Sequence, residues 1–420
     1  MKAAKGYWKS LGPGLTTGAA DDDPAGIATY SQIGARYGFQ FLWMAIFTFP
    51  LMSVVQEMCA RIGLVTGRGL AANIRLHYPR WVIYISAVLL FITNTFNIGA
   101  NLGAMAKASQ LLFPSFNFGL LVVIFTFTSL ALQIFSSYEK YAHILKWLAL
   151  VLISYIFSAL MVNLDWTAVL QGALIPKIQF TSDQILLITA VLGTTISPYL
   201  FFWQTSQEVE EQILEGKTTL KLRQKETTND EINNMRTDVW SGMLLSNMVM
   251  FFIIAAAAAT LFANGITNIE TAADAAAALR PIAGDQAYLL FALGIIGTGM
   301  LALPVLAGSA SYALSECFGW KYGLYRKLKE AYAFYGIIIL STMIGFGINF
   351  SGLDSIKALI YSAVLNGLIA PVILILIVLL SSNKKIMGNR VNHPFTTALG
   401  WLITVVMVIA GALTIISLLT

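Results

Sequence analysis

Apolar runs of about twenty residues or more follow one another along almost the whole chain, separated by short charged breaks. A segment of that length spans a hydrocarbon layer about 30 Å thick as a helix. In such a layer each backbone group must find its partner inside the protein, so helices are the only open-ended solution. Of the 420 residues, 11% are charged and 57% belong to the apolar set, against about 25% charged in a soluble domain. A soluble globular domain is excluded.

Eleven crossings are predicted, near 11–37, 39–64, 81–112, 117–136, 141–163, 183–207, 239–263, 286–316, 330–350, 356–381 and 395–419. With the N-terminus inside, 21 of the 26 lysines and arginines fall on cytoplasmic segments. Only Arg36, Lys107, Lys177, Arg280 and Lys357 fall outside. The positive-inside rule then predicts a cell-membrane protein with a cytoplasmic N-terminus and an extracellular C-terminus. Met1 to Ser10 reads as a short basic arm without a cleavage pattern. Glu208 to Asp238 reads as a solvated linker or short surface helix, and Thr271 to Leu279 as a short helix at the outer surface. The whole chain, 1–420, is one membrane domain in this reading. No disulfide frame or zinc site is expected from Cys59 and Cys317, and no nucleotide loop or nucleophile–base set suggests an enzyme or a resident cofactor.

Two crossings are interrupted. The first contains Asp21-Asp22-Asp23-Pro24-Ala25-Gly26, and the sixth contains Gly193-Thr194-Thr195-Ile196-Ser197-Pro198-Tyr199. A carboxylate at mid-bilayer costs at least about 2.5 kcal/mol on insertion scales, and proline removes a backbone donor. Paired interruptions at matching places in two five-helix groups point to an inverted-repeat transporter with a midplane site. The repeats would span about 11–163 and 183–381, with an extra helix at 395–419. Unwound carbonyls beside a carboxylate make an oxygen-rich cation site.

These residues resemble the NRAMP divalent-metal transporters, an all-α polytopic family with the LeuT fold. Gly12-Pro13-Gly14, eight residues, and then Asp23-Pro24-Ala25-Gly26 match the register of the family's first span. Thr66-Gly67-Arg68 matches the end of its second, and Ser197-Pro198-Tyr199 falls on its Met-Pro-His motif. The resemblance places the metal-binding aspartate on Asp23 and carbonyl ligands on Ala20 and Thr194. The family asparagine becomes Gly26, the soft methionine Ser197 and the histidine Tyr199. Family acids of the third span, which take part in proton movement, align with Asn94 and Asn97, and a glutamine of the tenth with Ala363, close to Asn366.

Losing a thioether in favour of hydroxyl, carbonyl and water moves a site toward magnesium or manganese. Magnesium keeps several waters and needs one or two carboxylates. The pattern resembles the NRAMP-related magnesium transporters, which implies uptake of hydrated Mg2+, with Mn2+ also carried and no obligatory proton coupling. A divalent ion crossing 100 mV gains about 4.6 kcal/mol, so no second ion is required. Ordinary proton-coupled Mn2+/Fe2+ transport and amino-acid transport on the same fold are the competing readings; three aspartates would repel an amino acid's carboxylate.

Around this centre, Asp22 and Asp21 are expected either to draw cations at the outer mouth or to be solvated there. Glu57 and Arg61 are expected to pair at i, i+4, and Glu208, Glu210 and Glu211 to sit at a solvated helix end or attract a departing cation. Asn94 and Asn97 read as structural amides or lining of a wet path. Tyr199 and Trp203 read as aromatic packing, His77, His143 and His393 as surface residues, and Gly294, Gly297, Gly299 and Gly308 as sites of close helix contact. The partners expected are a divalent cation and the bilayer, with no nucleic acid and a monomeric chain.

Overall fold

The computed structural model describes residues 12–136, 164–269, 272–277 and 287–419, together with positions 140, 144 and 156. The expected fifth crossing (141–163) and His143 lie outside the described residues. All regular elements among the described residues are helical. In chain order they are α1 (Pro13–Asp21), α2 (Pro24–Tyr37), α3 (Trp43–Thr66), α4 (Leu70–His77), α5 (Arg80–Leu112) and α6 (Phe118–Phe135). Then come α7 (Trp166–Leu174), α8 (Ser182–Thr195), α9 (Pro198–Leu214), α10 (Leu220–Glu226), α11 (Asn229–Thr260) and α12 (Ala272–Ala277). The last are α13 (Ala287–Phe318), α14 (Tyr332–Ile348), α15 (Ser355–Ser381), α16 (Lys384–Met387) and α17 (Pro394–Leu419).

Among the described residues, eight segments are long and apolar enough to cross a membrane, one of them running through α8 and α9 together. Two expected crossings are missing from that set for physical reasons. The first is divided into α1 and α2, each too short alone, and the ninth is the 17-residue apolar helix α14. Side chains such as Ile92, Val405, Ile409 and Ile416 are more than half exposed, as expected of helices that face lipid rather than water.

Both broken helices are seated by backbone-to-backbone contact. A Cβ on Gly18 would lie 2.2 Å from Gly242 O, and one on Gly242 would lie 2.1 Å from Gly14 O. Only hydrogen fits there, so α1 lies directly on α11 through a small-residue seam. Gly193 does the same for α8, where an added Cβ would meet Ala363 O on α15 at 2.0 Å. The N-terminus of α1 has no side-chain cap of its own. Instead Asp238 of α11 accepts from Gly12 N at 2.8 Å, Gly14 N at 2.6 Å and Leu15 N at 3.1 Å. One buried carboxylate thus satisfies three of the donors that a helix start leaves open.

Several polar residues sit elsewhere than expected. Glu57 does not pair with Arg61: it accepts from Arg236 Nε at 3.0 Å and Trp240 Nε1 at 2.9 Å, while Arg61 reaches Asn392. Glu57 finds its donors on α11, and Arg61 its acceptor in the connection that leads into α17, rather than along their own helix. Glu208 and Glu210 are buried, because α9 continues as a packed helix to Leu214. Glu210 accepts from the Tyr312 hydroxyl and from Leu324 N and Tyr325 N, and so anchors the α13–α14 connection. The 208–238 connection is therefore short, with α10 in its middle and α11 beginning at Asn229. In α12, Ala275 and Ala276 are buried against the bundle rather than lying free at a surface. His77 and His393 are exposed as expected.

Candidate metal site

The two breaks meet. Helix α1 packs on α9 and α2 on α8, so each half of one broken helix faces a half of the other. Asp21 ends α1, Asp22 turns the chain with φ −86° and ψ 50°, and Asp23 is extended at φ −67° and ψ 171°. Pro24 then opens α2, where its missing N–H costs nothing. Across from it Ile196 leaves α8, and Ser197-Pro198 opens α9 in the same way.

Asp23 is 2% exposed and is the N-cap of α2. Its Oδ1 accepts from Gly26 N at 2.9 Å, and its Oδ2 accepts from Asn97 Nδ2 and Asn101 Nδ2, each at 3.2 Å. Asn97 Oδ1 in turn accepts from Ser362 Oγ of α15 at 3.2 Å. Helices α2, α5 and α15 thus converge on one carboxylate. Asn101 is a member of this set that the sequence reading missed. The signal was present: Asn94, Asn97 and Asn101 recur at i, i+3 and i+7, one face of a helix. Asn94, by contrast, turns to Leu306 O and Ser309 of α13 and has no contact with Asp23.

The other predicted site residues have defined places. Ala20 O accepts from the Tyr199 hydroxyl at 2.9 Å; Tyr199 is a polar tie between the two breaks, not simple aromatic filler. Thr194 O and Gly193 O accept from Ser197 Oγ at 2.7 Å and 2.6 Å. The hydroxyl of Ser197 therefore folds back onto its own helix end. The Thr194 hydroxyl lies 3.3 Å from the Tyr30 hydroxyl. Gly26 contributes its N–H to Asp23, and a Cβ there would meet Asp21 O at 3.2 Å. Ala363 is fully buried and Asn366 is 2% exposed, with its Oδ1 unpartnered.

Asp21 and Asp22 are fully buried and not solvated. Ser246 of α11 donates to Asp21 Oδ2 at 2.7 Å. Asp21 Oδ1, both oxygens of Asp22 and Asn101 Oδ1 have no hydrogen-bond partner. None of the ion pairs among the described residues involves these three aspartates. An uncompensated buried carboxylate costs several kcal/mol, so this constellation favours whatever brings positive charge to it. Its donors are carboxylate, carbonyl and amide oxygens. No group of three or more His, Cys, Asp or Glu side chains forms a metal cluster among the described residues. Any ion held here is held by a mixed side-chain and backbone set, which suits hard cations.

Residues 14–417 match the family model for natural resistance-associated macrophage protein-like (Nramp) proteins. The chain belongs to the Nramp family. Among curated Nramp relatives, the divalent metal cation transporter MntH of Klebsiella pneumoniae is 26% identical over 404 residues, covering 95% of this chain and 91% of that protein. MntH of Deinococcus radiodurans is also 26% identical, covering 95% and 87%. MntH of Yersinia pestis is 26% identical over 414 residues, covering 97% and 95%. Among solved structures, the Eremococcus coleocola manganese transporter superposes with a TM-score of 0.76 at 18% identity, covering 98% of this chain and 87% of that one. The closed form of Mhp1, a nucleobase-cation-symport-1 family transporter, superposes at 0.56 and 16% identity, covering 97% and 91%. The fold is the all-α, LeuT-type architecture that the family resemblance implied.

Proposed function

We propose that this chain moves divalent cations across the membrane, and that Mg2+, partly hydrated, is its preferred ion, with Mn2+ also carried. The observation that carries this reading is the oxygen and amide character of everything gathered at the breaks. Asp23 is flanked by Asn97 and Asn101, and Asp22 adds two unpartnered carboxylate oxygens. The position that the family resemblance assigns to a thioether holds Ser197. Both amides turn nitrogen toward Asp23; a half-turn of either about its last bond presents an oxygen to the same point. Carbonyls of Ala20 and Thr194 become ligands when the Tyr199 and Ser197 hydroxyls release them. With one or two carboxylates and small neutral groups, the site leaves hydration water on the ion, as Mg2+ requires.

Transport without obligatory proton coupling follows from the amides at positions 94 and 97, which carry no titrating proton. Proton-coupled Mn2+ transport is the second reading, and it draws on a specific observation. Asp21 and Asp22 are buried without a basic partner, and such groups take up a proton or a cation. The orientation that goes with uptake has the N-terminus in the cytoplasm, from the lysine and arginine distribution. Liposome uptake of Mg2+ and Mn2+ under an inside-negative potential, with internal pH recorded, separates the two readings. Manganese flux with acidification and no magnesium flux would reject the first.

A further inference from the structure

One face of α9 runs from the break toward the lysine- and arginine-rich side of the protein, and it carries Tyr199, Trp203, Ser206 and Glu210 at helical spacing. Tyr199 touches the candidate site through Ala20 O. Ser206 and Glu210 line a separate cavity of about 280 Å3, bounded also by Tyr312, Glu316 and Arg223. That volume holds several waters. Charged and hydroxyl side chains are among its walls, and two of them are incompletely satisfied: Ser206 Oγ and Glu316 Oε1 are buried without a partner.

Along α9, Trp203 lies between Tyr199 at the break and Ser206 at the cavity. Its ring fills a notch in α13 made by Gly308, where an added Cβ would lie 2.6 Å from Cζ3. Its edge meets Tyr312, with ring centroids 6.4 Å apart and planes at 71°. Tyr312 is the residue whose hydroxyl closes onto Glu210 at 2.5 Å. The indole is 1% exposed, yet its Nε1–H has no acceptor. Buried indole N–H groups usually find a partner. A bulky ring held by packing and an aromatic edge, with its only hydrogen-bond donor unspent, breaks no hydrogen bond when it leaves its place.

We propose that Trp203 is the inner gate, and that the cavity bounded by Ser206, Glu210 and Glu316 is the vestibule through which the cation leaves the site. Movement of the indole out of the Gly308 notch joins the vestibule to the break, and the two buried glutamates draw the cation from the break toward the lysine- and arginine-rich side. This rests on the reading that the ion sits at the break, but not on which ion it is.

Cysteine accessibility tests the proposal in full-length protein with Cys59 and Cys317 replaced by alanine. A hydrophilic thiol reagent is applied from the lysine- and arginine-rich side of membrane vesicles. In the Ser206→Cys protein, labelling is expected with or without Trp203. In the near-isosteric Ser197→Cys protein, labelling is expected to be slow with Trp203 present. It should quicken at least tenfold with Trp203→Ala or Gly308→Ala, which crowds the ring from its notch, and stay slow with Trp203→Phe. Failure of Ser206→Cys to label would remove the vestibule. An unchanged Ser197→Cys rate in both the Trp203→Ala and Gly308→Ala proteins would remove the gate. Neither result depends on ion selectivity, whereas normal transport by Asp23→Ala would reject the site and leave the accessibility pattern standing.

Discussion

Replacing Asp238 by asparagine keeps the side-chain shape but removes a charge and one of two acceptor oxygens at the start of α1. Oδ1 now serves Gly12 N and Leu15 N, and Oδ2 serves Gly14 N. The asparagine can reproduce one set only; its amide nitrogen then faces the remaining N–H donor. A hydrogen bond to a charged acceptor contributes about 1.5–3 kcal/mol, and a negative charge at a helix N-terminus a further ~0.3–1 kcal/mol. Water reaching this end of the helix offsets part of that loss. A local weakening of about 2 kcal/mol is expected, roughly thirtyfold in the opening equilibrium at 1.36 kcal/mol per factor of ten. Hydrogen exchange of the protein in lipid nanodiscs reads this directly. Amides of Gly14 through Gly18 should exchange roughly thirtyfold faster in the variant, while the middle of α11 around Gly242 stays protected. Unchanged exchange in α1 would refute the capping role. Equal loss across the whole bundle would show that Asp238 holds the fold and not this short helix.

Three further outcomes follow from the same geometry. Ser197→Met should shift selectivity toward Mn2+ and Cd2+ relative to Mg2+ by an order of magnitude or more, measured as competition in uptake, because a thioether favours softer ions. Asn97→Asp sets a second carboxylate beside Asp23; two like charges that close share a proton at neutral pH. Cation affinity in that variant should rise as pH increases through neutrality, and uptake should become proton-linked, as read by a lumenal pH dye. Gly242→Ala puts a methyl 2.1 Å from Gly14 O and should cost about 1–3 kcal/mol, an overpacking penalty, seen as a lower melting temperature. Gly336→Ala, with nothing within 4 Å of the new Cβ, should not lower it.

Much of the architecture was legible because it depends on local signals. Apolar length gave the eight crossings found among the described residues, and Pro24 and Pro198 after small or acidic residues gave the two breaks. What the sequence could not reveal was set by how helices meet. Glu57 and Arg61 stand at a spacing that usually pairs them, yet Glu57 turns to α11 and Arg61 to the connection before α17. Tyr199 looked like packing because its hydroxyl partner, Ala20 O, lies 179 positions away. Asp22 and Asp21 looked solvent-facing because three consecutive carboxylates are costly to bury; the fold buries all three. Asn101 is the instructive miss, since the same periodicity that identified Asn94 and Asn97 extends to it. The glycine seams were foreseen in α13 at Gly299 and Gly308, where an added Cβ would press on Met105 and Trp203. The tighter contacts, at Gly18, Gly193 and Gly242, are backbone on backbone, which only the helix crossings themselves determine.

The central claim is that the breaks form a hard-cation site organised by Asp23. Its most direct test is flux of Mg2+ and Mn2+ into proteoliposomes under an inside-negative potential, comparing the unaltered protein with Asp23→Ala while lumenal pH is followed. The expected result is Mg2+ entry without lumenal acidification, abolished by Asp23→Ala. Undiminished Mg2+ entry in the variant, or manganese-only entry accompanied by acidification in the unaltered protein, would contradict it.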